Sequence, residues 1–115
     1  MIRTVALTMV VASFALCIAC SDDPVASCNF TDELSICTDF LGEYTKDTAQ
    51  AQCGSAGSFT QDPCSAKHVV AVCDADEGPA HKRYHYYDNG QEPYTAQSAA
   101  AHCTGVRGKL DYPGV

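Results

Sequence analysis

Hydrophobic residues are spread very unevenly along the 115-residue chain. From Thr4 the sequence runs Thr-Val-Ala-Leu-Thr-Met-Val-Val-Ala-Ser-Phe-Ala-Leu-Cys-Ile-Ala19 without a charge, and Ser21-Asp-Asp-Pro24 ends the run abruptly. A helix over this stretch would be apolar on all sides, unlike the amphipathic helices that pack on a core. The stretch is also shorter than the ~20 residues a membrane-spanning helix needs. With Arg3 before it and a small residue at its end, Met1–Ala19 has the make-up of an export signal. Polar Ser21–Ser27 follows and reads as a tether, so the folded part is expected to begin near Cys28.

Downstream, the pattern changes to short alternating elements. His68-Val-Val-Ala-Val-Cys-Asp74 is a β-rich apolar run and predicts a buried strand, with Leu34–Leu41 as a weaker counterpart. His81–Asp88 lies between the turn signals Glu77-Gly-Pro79 and Asn89-Gly90, which predicts a strand returning as a hairpin against His68–Asp74. The alanine-rich stretches after Thr45 and Thr95 predict two short helices. Threonine is a good N-cap, and Gly54 and Gly105 stand where the helices would end. The expected fold class is α+β: a small antiparallel sheet with two short helices on one face.

The helical stretches also match one another. Tyr44-Thr-Lys-Asp-Thr-Ala-Gln-Ala-Gln-Cys53 and Tyr94-Thr-Ala-Gln-Ser-Ala-Ala-Ala-His-Cys103 align at Tyr-Thr, at both alanine pairs (Ala49 with Ala99, Ala51 with Ala101) and at the cysteine. Gly57-Ser-Phe59 and Gly108-Lys-Leu110 continue the match. Cys28 and Cys37 are separated by eight residues, as are Cys64 and Cys73. The chain therefore reads as two unequal strand-helix repeats, 28–63 and 64–115, the second carrying an insertion.

Leu16-Cys-Ile-Ala-Cys20 resembles the lipobox of bacterial lipoprotein precursors, with Cys17 where that family most often has leucine. The resemblance implies removal of residues 1–19 and attachment of diacylglycerol, carrying palmitate-type acyl chains, to Cys20. Residues 20–27 then become a lipidated N-terminus and tether. The implied partner is a lipid bilayer, and the implied location is the cell envelope, with the outer membrane or cell surface favoured over the inner membrane. The remaining cysteines, Cys28, Cys37, Cys53, Cys64, Cys73 and Cys103, form an even set in a domain of under 100 residues. Outside the reducing cytoplasm such a set reads as three disulfides. Six cysteines allow fifteen pairings. The one preferred on the repeat is Cys53–Cys64, Cys28–Cys103 and Cys37–Cys73.

Charge and spacing then exclude several kinds of chemistry. Fourteen Asp/Glu face six Lys/Arg beyond residue 19. A surface that acidic repels nucleic acid and anionic head groups. His81 and His85 would stand about 13 Å apart on a strand at ~3.3 Å per residue, too far to share an ion. The cysteine spacings contain no short zinc-ligand pair, and Asp74-Ala-Asp-Glu77 lacks the spacing of an EF-hand loop. No metal, cofactor or catalytic residue is expected, and neither a nucleophile-elbow nor a phosphate-loop motif occurs.

The remaining candidate is Arg83-Tyr-His-Tyr-Tyr87. Alternation puts Tyr84 and Tyr86 on one face and Arg83, His85 and Tyr87 on the other. One set is expected under the helices, and the other forms a basic, aromatic patch for a protein or glycan partner. Over residues 28–110 the chain resembles small cysteine-containing repeat modules of bacterial lipoproteins with no assigned function. That resemblance rests on the repeated Tyr-Thr and Ala-x-Ala-x-Cys segments and implies no active site. The expectation is a non-enzymatic, partner-binding or envelope component. The alternative is a small enzyme or inhibitor built on His81, His85 and His102.

Overall fold

A computed structural model of the protein describes residues 23–30, 34–75 and 78–112. Cys20, the export signal and the Asp76-Glu77 pair lie outside these residues. The hairpin foreseen from the turn signals is present: β4 (Val69–Ala75) pairs antiparallel with β5 (Ala80–Tyr87). β5 also pairs with β2 (Ile36–Gly42), the weaker apolar run. Three shorter strands complete one antiparallel sheet. They are β1 (Ala26–Asn29), β3 (Ser58–Thr60) and β6 (Lys109–Asp111), and the order across the sheet is β3-β1-β2-β5-β4-β6. β1 starts at Ala26, two residues before Cys28.

Two helices, α1 (Lys46–Cys53) and α2 (Ala96–Gly105), lie where the alanine-rich stretches placed them. Thr45 Oγ1 accepts a hydrogen bond from the Thr48 N–H, and Thr95 Oγ1 accepts one from the Ser98 N–H, each at 3.1 Å. Ser98 Oγ accepts in return from the Thr95 N–H at 2.9 Å, closing a capping box around α2. Gly54 caps α1 with a left-handed φ of 64°, while α2 runs through Gly105 and is capped by Val106. Helices this short are not stable alone and depend on what they bury. Ala49 and Ala99 have no exposed surface, and each helix carries a buried cysteine in its last turn. Among the described residues no helix is long and apolar enough to cross a membrane.

The register ties the six strands together through one row of side chains. Phe59, Cys28, Thr38, Tyr84, Cys73 and Leu110 are successive cross-strand partners from β3 to β6. Direct partners point to the same face, so Cys28 and Cys73 both face the helices, and both helices lie on one side. The core has two parts: Ala26, Cys28, Phe40, Tyr44, Ala49 and Cys53 around α1, and Ile36, Ala71, Cys73, Tyr86, Ala99 and Cys103 around α2.

The two halves share one layout of hairpin, helix and edge strand. Cys28–Cys53 staples α1 to β1 and Cys73–Cys103 staples α2 to β4, with Cα separations of 5.5 and 5.6 Å. A Cβ on Gly57 would come within 2.5 Å of Cys28 Sγ, and one on Gly108 within 2.3 Å of Cys73 Sγ. Phe40 meets Tyr44 as Tyr86 meets Tyr94, with ring centroids 5.0 and 4.8 Å apart. The counterpart of Cys28 is therefore Cys73. The equal Cys-x8-Cys spacings had matched Cys28 with Cys64 instead.

The three disulfides expected from those spacings are corrected to Cys28–Cys53, Cys37–Cys64 and Cys73–Cys103. Strand parity explains the difference. Cys37 pairs with His85 and points away from the helices, whereas Cys73 points toward them, so Cys37–Cys73 would have to pass through the sheet. Cys53 and Cys64 lie on opposite faces for the same reason. Cys28 and Cys103 are held apart because β2 and β5 lie between β1 and β4, a separation of about 14 Å at ~4.8 Å per strand.

Candidate functional site

On the helical face, His102 projects from the last turn of α2 over β5. His102 Nδ1 and the Tyr86 hydroxyl share a hydrogen bond of 2.7 Å. Three tyrosine rings surround the imidazole, with centroids at 5.6 Å (Tyr84), 5.3 Å (Tyr86) and 6.3 Å (Tyr94). Burial lowers the His102 pKa, and burial with the nearby Tyr94 and Tyr84 pushes the Tyr86 hydroxyl far above the usual tyrosine value. Both groups are thereby held neutral at physiological pH. Beside them opens a cleft of about 430 Å3, lined by Leu34, Ile36, Glu92, Pro93, Tyr94, Ser98 and His102. Leu34 is 47% exposed at its edge. Ser98 Oγ is held in the capping box, accepting from the Thr95 N–H and donating to Thr95 O. The cleft is suited to holding an apolar or aromatic group against Leu34, Tyr94 and His102.

The opposite face of the sheet is covered on one side by the irregular segment 61–68. Cys37–Cys64 ties it down, the Tyr87 hydroxyl donates to Ser65 O at 2.7 Å, and Ser27 Oγ donates to Asp62 O. Under this segment Asp39 Oδ1 accepts from the Cys64 N–H at 2.9 Å, and Asp39 Oδ2 lies 3.7 Å from His85 Nδ1. Burial raises the Asp39 pKa, against the backbone bond from Cys64 and the charges of His85 and Arg83. Burial lowers that of His85, opposed by Asp39 and reinforced by Arg83. His85 Nδ1 is buried without a hydrogen-bond partner. A carboxylate oxygen of Asp39, a ring nitrogen of His85 and Cys64 Sγ lie within 4.8 Å of one another. With Cys64 in its disulfide, only an imidazole and a carboxylate remain as donors, too few for a tetrahedral zinc site.

The structure separates residues that the sequence grouped. Tyr84 and Tyr86 do face the helices and Arg83, His85 and Tyr87 the other side, but neither set forms an open aromatic patch. Tyr86 is 0% and Tyr87 3% exposed, His85 is largely covered, and Arg83 Nε donates to Asp74 Oδ1 at 2.7 Å. The segment 61–68, unforeseen as a cover, accounts for Tyr87. His81 and His85 share the far face of β5 while His102 lies on the helical face, so the three do not converge. His68 pairs with Asp88 at 3.3 Å on the surface. The sequence reading passed over Asp39, whose signal is a carboxylate in phase with Cys37 and Leu41 within an otherwise buried strand. It also passed over the Leu34–Pro93–Tyr94 cleft, which depends on tertiary packing alone.

The chain matches no protein-family model, no curated protein and no solved structure.

Proposed function

We propose that the chain is the precursor of an exported bacterial lipoprotein, acylated at Cys20, carrying a small non-enzymatic α+β domain that binds a partner or serves as an envelope component. The observation that carries this reading is the complete pairing of the cysteines from Cys28 onward. Three disulfides in so small a domain fit an oxidising, extracytoplasmic compartment. The other two cysteines of the sequence, Cys17 and Cys20, both stand in the lipobox-like segment. The domain is built from two copies of one hairpin-helix-strand unit. Two or more acyl chains on Cys20 anchor durably where one binds marginally. From Cys20 to the first strand residue, Ala26, the chain spans at most about 21 Å at ~3.5 Å per residue, which keeps the domain close to the bilayer.

A protein or glycan partner is assigned to the cleft beside α2, where Leu34 and Tyr94 offer apolar surface, in place of Arg83–Tyr87. Location at the outer membrane or cell surface is preferred. Metabolic labelling with an alkyne fatty acid in the native bacterium tests the anchor. Label and membrane fractionation are expected in the wild type and lost in Cys20→Ala. Retention of both in Cys20→Ala sinks the reading.

A further inference from the structure

The three disulfides differ in position and access. Cys28–Cys53 and Cys73–Cys103 each join a helix to the strand beneath it, and all four sulfurs belong to residues no more than 4% exposed. Cys37–Cys64 instead joins β2 to the irregular segment 61–68, and Cys64 is the one half-buried cysteine of the six. Thiol-disulfide exchange needs a sulfur that the attacking thiolate can reach. Cys64, half-buried where Cys37 is 2% exposed, makes this bridge the most open of the three.

Three metal-type donors lie at this bridge. Asp39, His85 and Cys64 place an oxygen, a nitrogen and a sulfur within 4.8 Å of one another. Cys37, bonded to Cys64, is the direct cross-strand partner of His85 and shares its face. His85 Nδ1 has no other partner. We propose that reduction of Cys37–Cys64 creates a divalent metal site in which Cys37, Cys64, His85 and Asp39 are the four ligands.

The chemistry balances with a dithiol as reductant. Its thiolate attacks Cys64 Sγ, the S–S bond breaks, and the bonding pair leaves with Cys37 as a thiolate. The second thiol of the reductant then closes on the first, releasing Cys64 and leaving the reductant as a cyclic disulfide. Two electrons and two protons pass from the dithiol to the two cysteines. Binding of the metal ion releases those two protons to water. Two thiolates, an imidazole and a carboxylate are the donor set of tetrahedral zinc, and the thiolates disfavour calcium and magnesium. Ligand atoms around zinc are about 3.5 Å apart given bonds of ~2.0–2.3 Å. The donor atoms of Asp39, His85 and Cys64 already lie within 4.8 Å of one another, so these three need to close by at most about 1.3 Å, and Cys37 Sγ joins them once the S–S bond no longer holds it to Cys64. The other two bridges still hold both helices to the sheet.

The test combines limiting dithiothreitol, alkylation with peptide mapping, and titration with Co(II). Cys37 and Cys64 are expected to be the first thiols released. The two-thiol protein should then bind one Co(II) per chain with a thiolate-to-cobalt absorption band, while the fully oxidised protein shows none. His85→Ala and Asp39→Asn, read on the reduced protein, should each weaken binding at least about tenfold, since even outer-shell changes cost ~10–100-fold. Circular dichroism on the same samples should keep the native spectrum. Prior opening of another bridge, no cobalt-thiolate band, an unchanged band in both variants, or loss of structure when this bridge opens would each overturn the proposal.

Discussion

Thr38 and Tyr84 face one another across β2 and β5, and each is also the cross-strand partner of a helix-stapled cysteine: Thr38 of Cys28, and Tyr84 of Cys73. The sheet therefore corresponds to itself about this pair. Counting outward, Cys37 opposite His85 mirrors Asp39 opposite Arg83, and Ile36 opposite Tyr86 mirrors Phe40 opposite Lys82. The helical face is alike in the two halves. The far face is not, because only β2 carries a cysteine on it, Cys37, which holds segment 61–68 down through Cys64.

Gly57 and Gly108, which lie against disulfide sulfurs, should be poorly replaceable. Gly57→Ala and Gly108→Ala each push a methyl group into a disulfide sulfur. Overpacking of this kind costs about 1–3 kcal/mol. Gly105→Ala, with nothing within 4 Å of its new Cβ and a helical backbone, should leave stability unchanged or raise it by ~0.5–1 kcal/mol. Urea midpoints of the three variants measure the contrast. Equal midpoints would contradict the close approach.

Loss of the helix caps should be unequal. Thr95→Ala removes one half of a reciprocal capping box, whereas Thr45→Ala removes a single backbone acceptor. Each is expected to cost about 1 kcal/mol, with Thr95→Ala the larger. The same urea series, with helix content followed by circular dichroism, reads the order.

Acid should weaken the fold through His102. Burial lowers its pKa in the folded protein. Above pH ~6.5, the usual histidine value, the group is neutral in both states and costs nothing. As pH falls below that value the unfolded chain takes up a proton that the folded state resists, so stability declines until pH passes the folded pKa. His85 acts in the same sense. Asp39 acts oppositely: its raised pKa favours folding at low pH, and that contribution is lost as pH rises through the folded value. His102→Gln removes one component alone. The difference between wild-type and variant stability should therefore shrink on acidification below pH ~6.5 and stay constant above it.

Tyr87 should report on segment 61–68. Its hydroxyl donates to Ser65 O, and burial with the nearby Asp39 pushes its pKa up to about 12. Tyr87→Phe keeps the ring and loses the bond, at about 0.5–1.5 kcal/mol. Hydrogen exchange of the Cys64 amide, which donates to Asp39, should accelerate roughly two- to tenfold. Unchanged exchange would mean that the Tyr87–Ser65 bond does not help to hold the segment.

Much of the helical side was legible in the sequence because its determinants are local. Thr45, Thr95 and the alanines fix two helices within a few residues, and Asn89-Gly90 together with Glu77-Gly-Pro79 delimits the β5 hairpin strand. The short strands β1, β3 and β6 were not legible. Three or four residues are too few for periodicity, and Gly57-Ser-Phe59 stood out only as a match to Gly108-Lys-Leu110. Disulfide pairing failed for a different reason. The equal spacing of Cys28–Cys37 and Cys64–Cys73 is a coincidence of sequence, since Cys64 lies in an irregular segment and no strand contains it. Strand parity, readable only once register is known, decides which cysteines meet. The Arg83–Tyr87 stretch alternates as expected, yet alternation says nothing about what covers the second face.

The central claim is an exported, lipid-anchored protein with three bridges, and intact mass of the protein purified from its native envelope tests it most directly, before and after reduction and alkylation. The expected mass is that of Cys20–Val115 plus two or three acyl chains, with six alkylated thiols appearing only after reduction and none before. An unacylated mass, a start other than Cys20, or free thiols in the unreduced protein would contradict it.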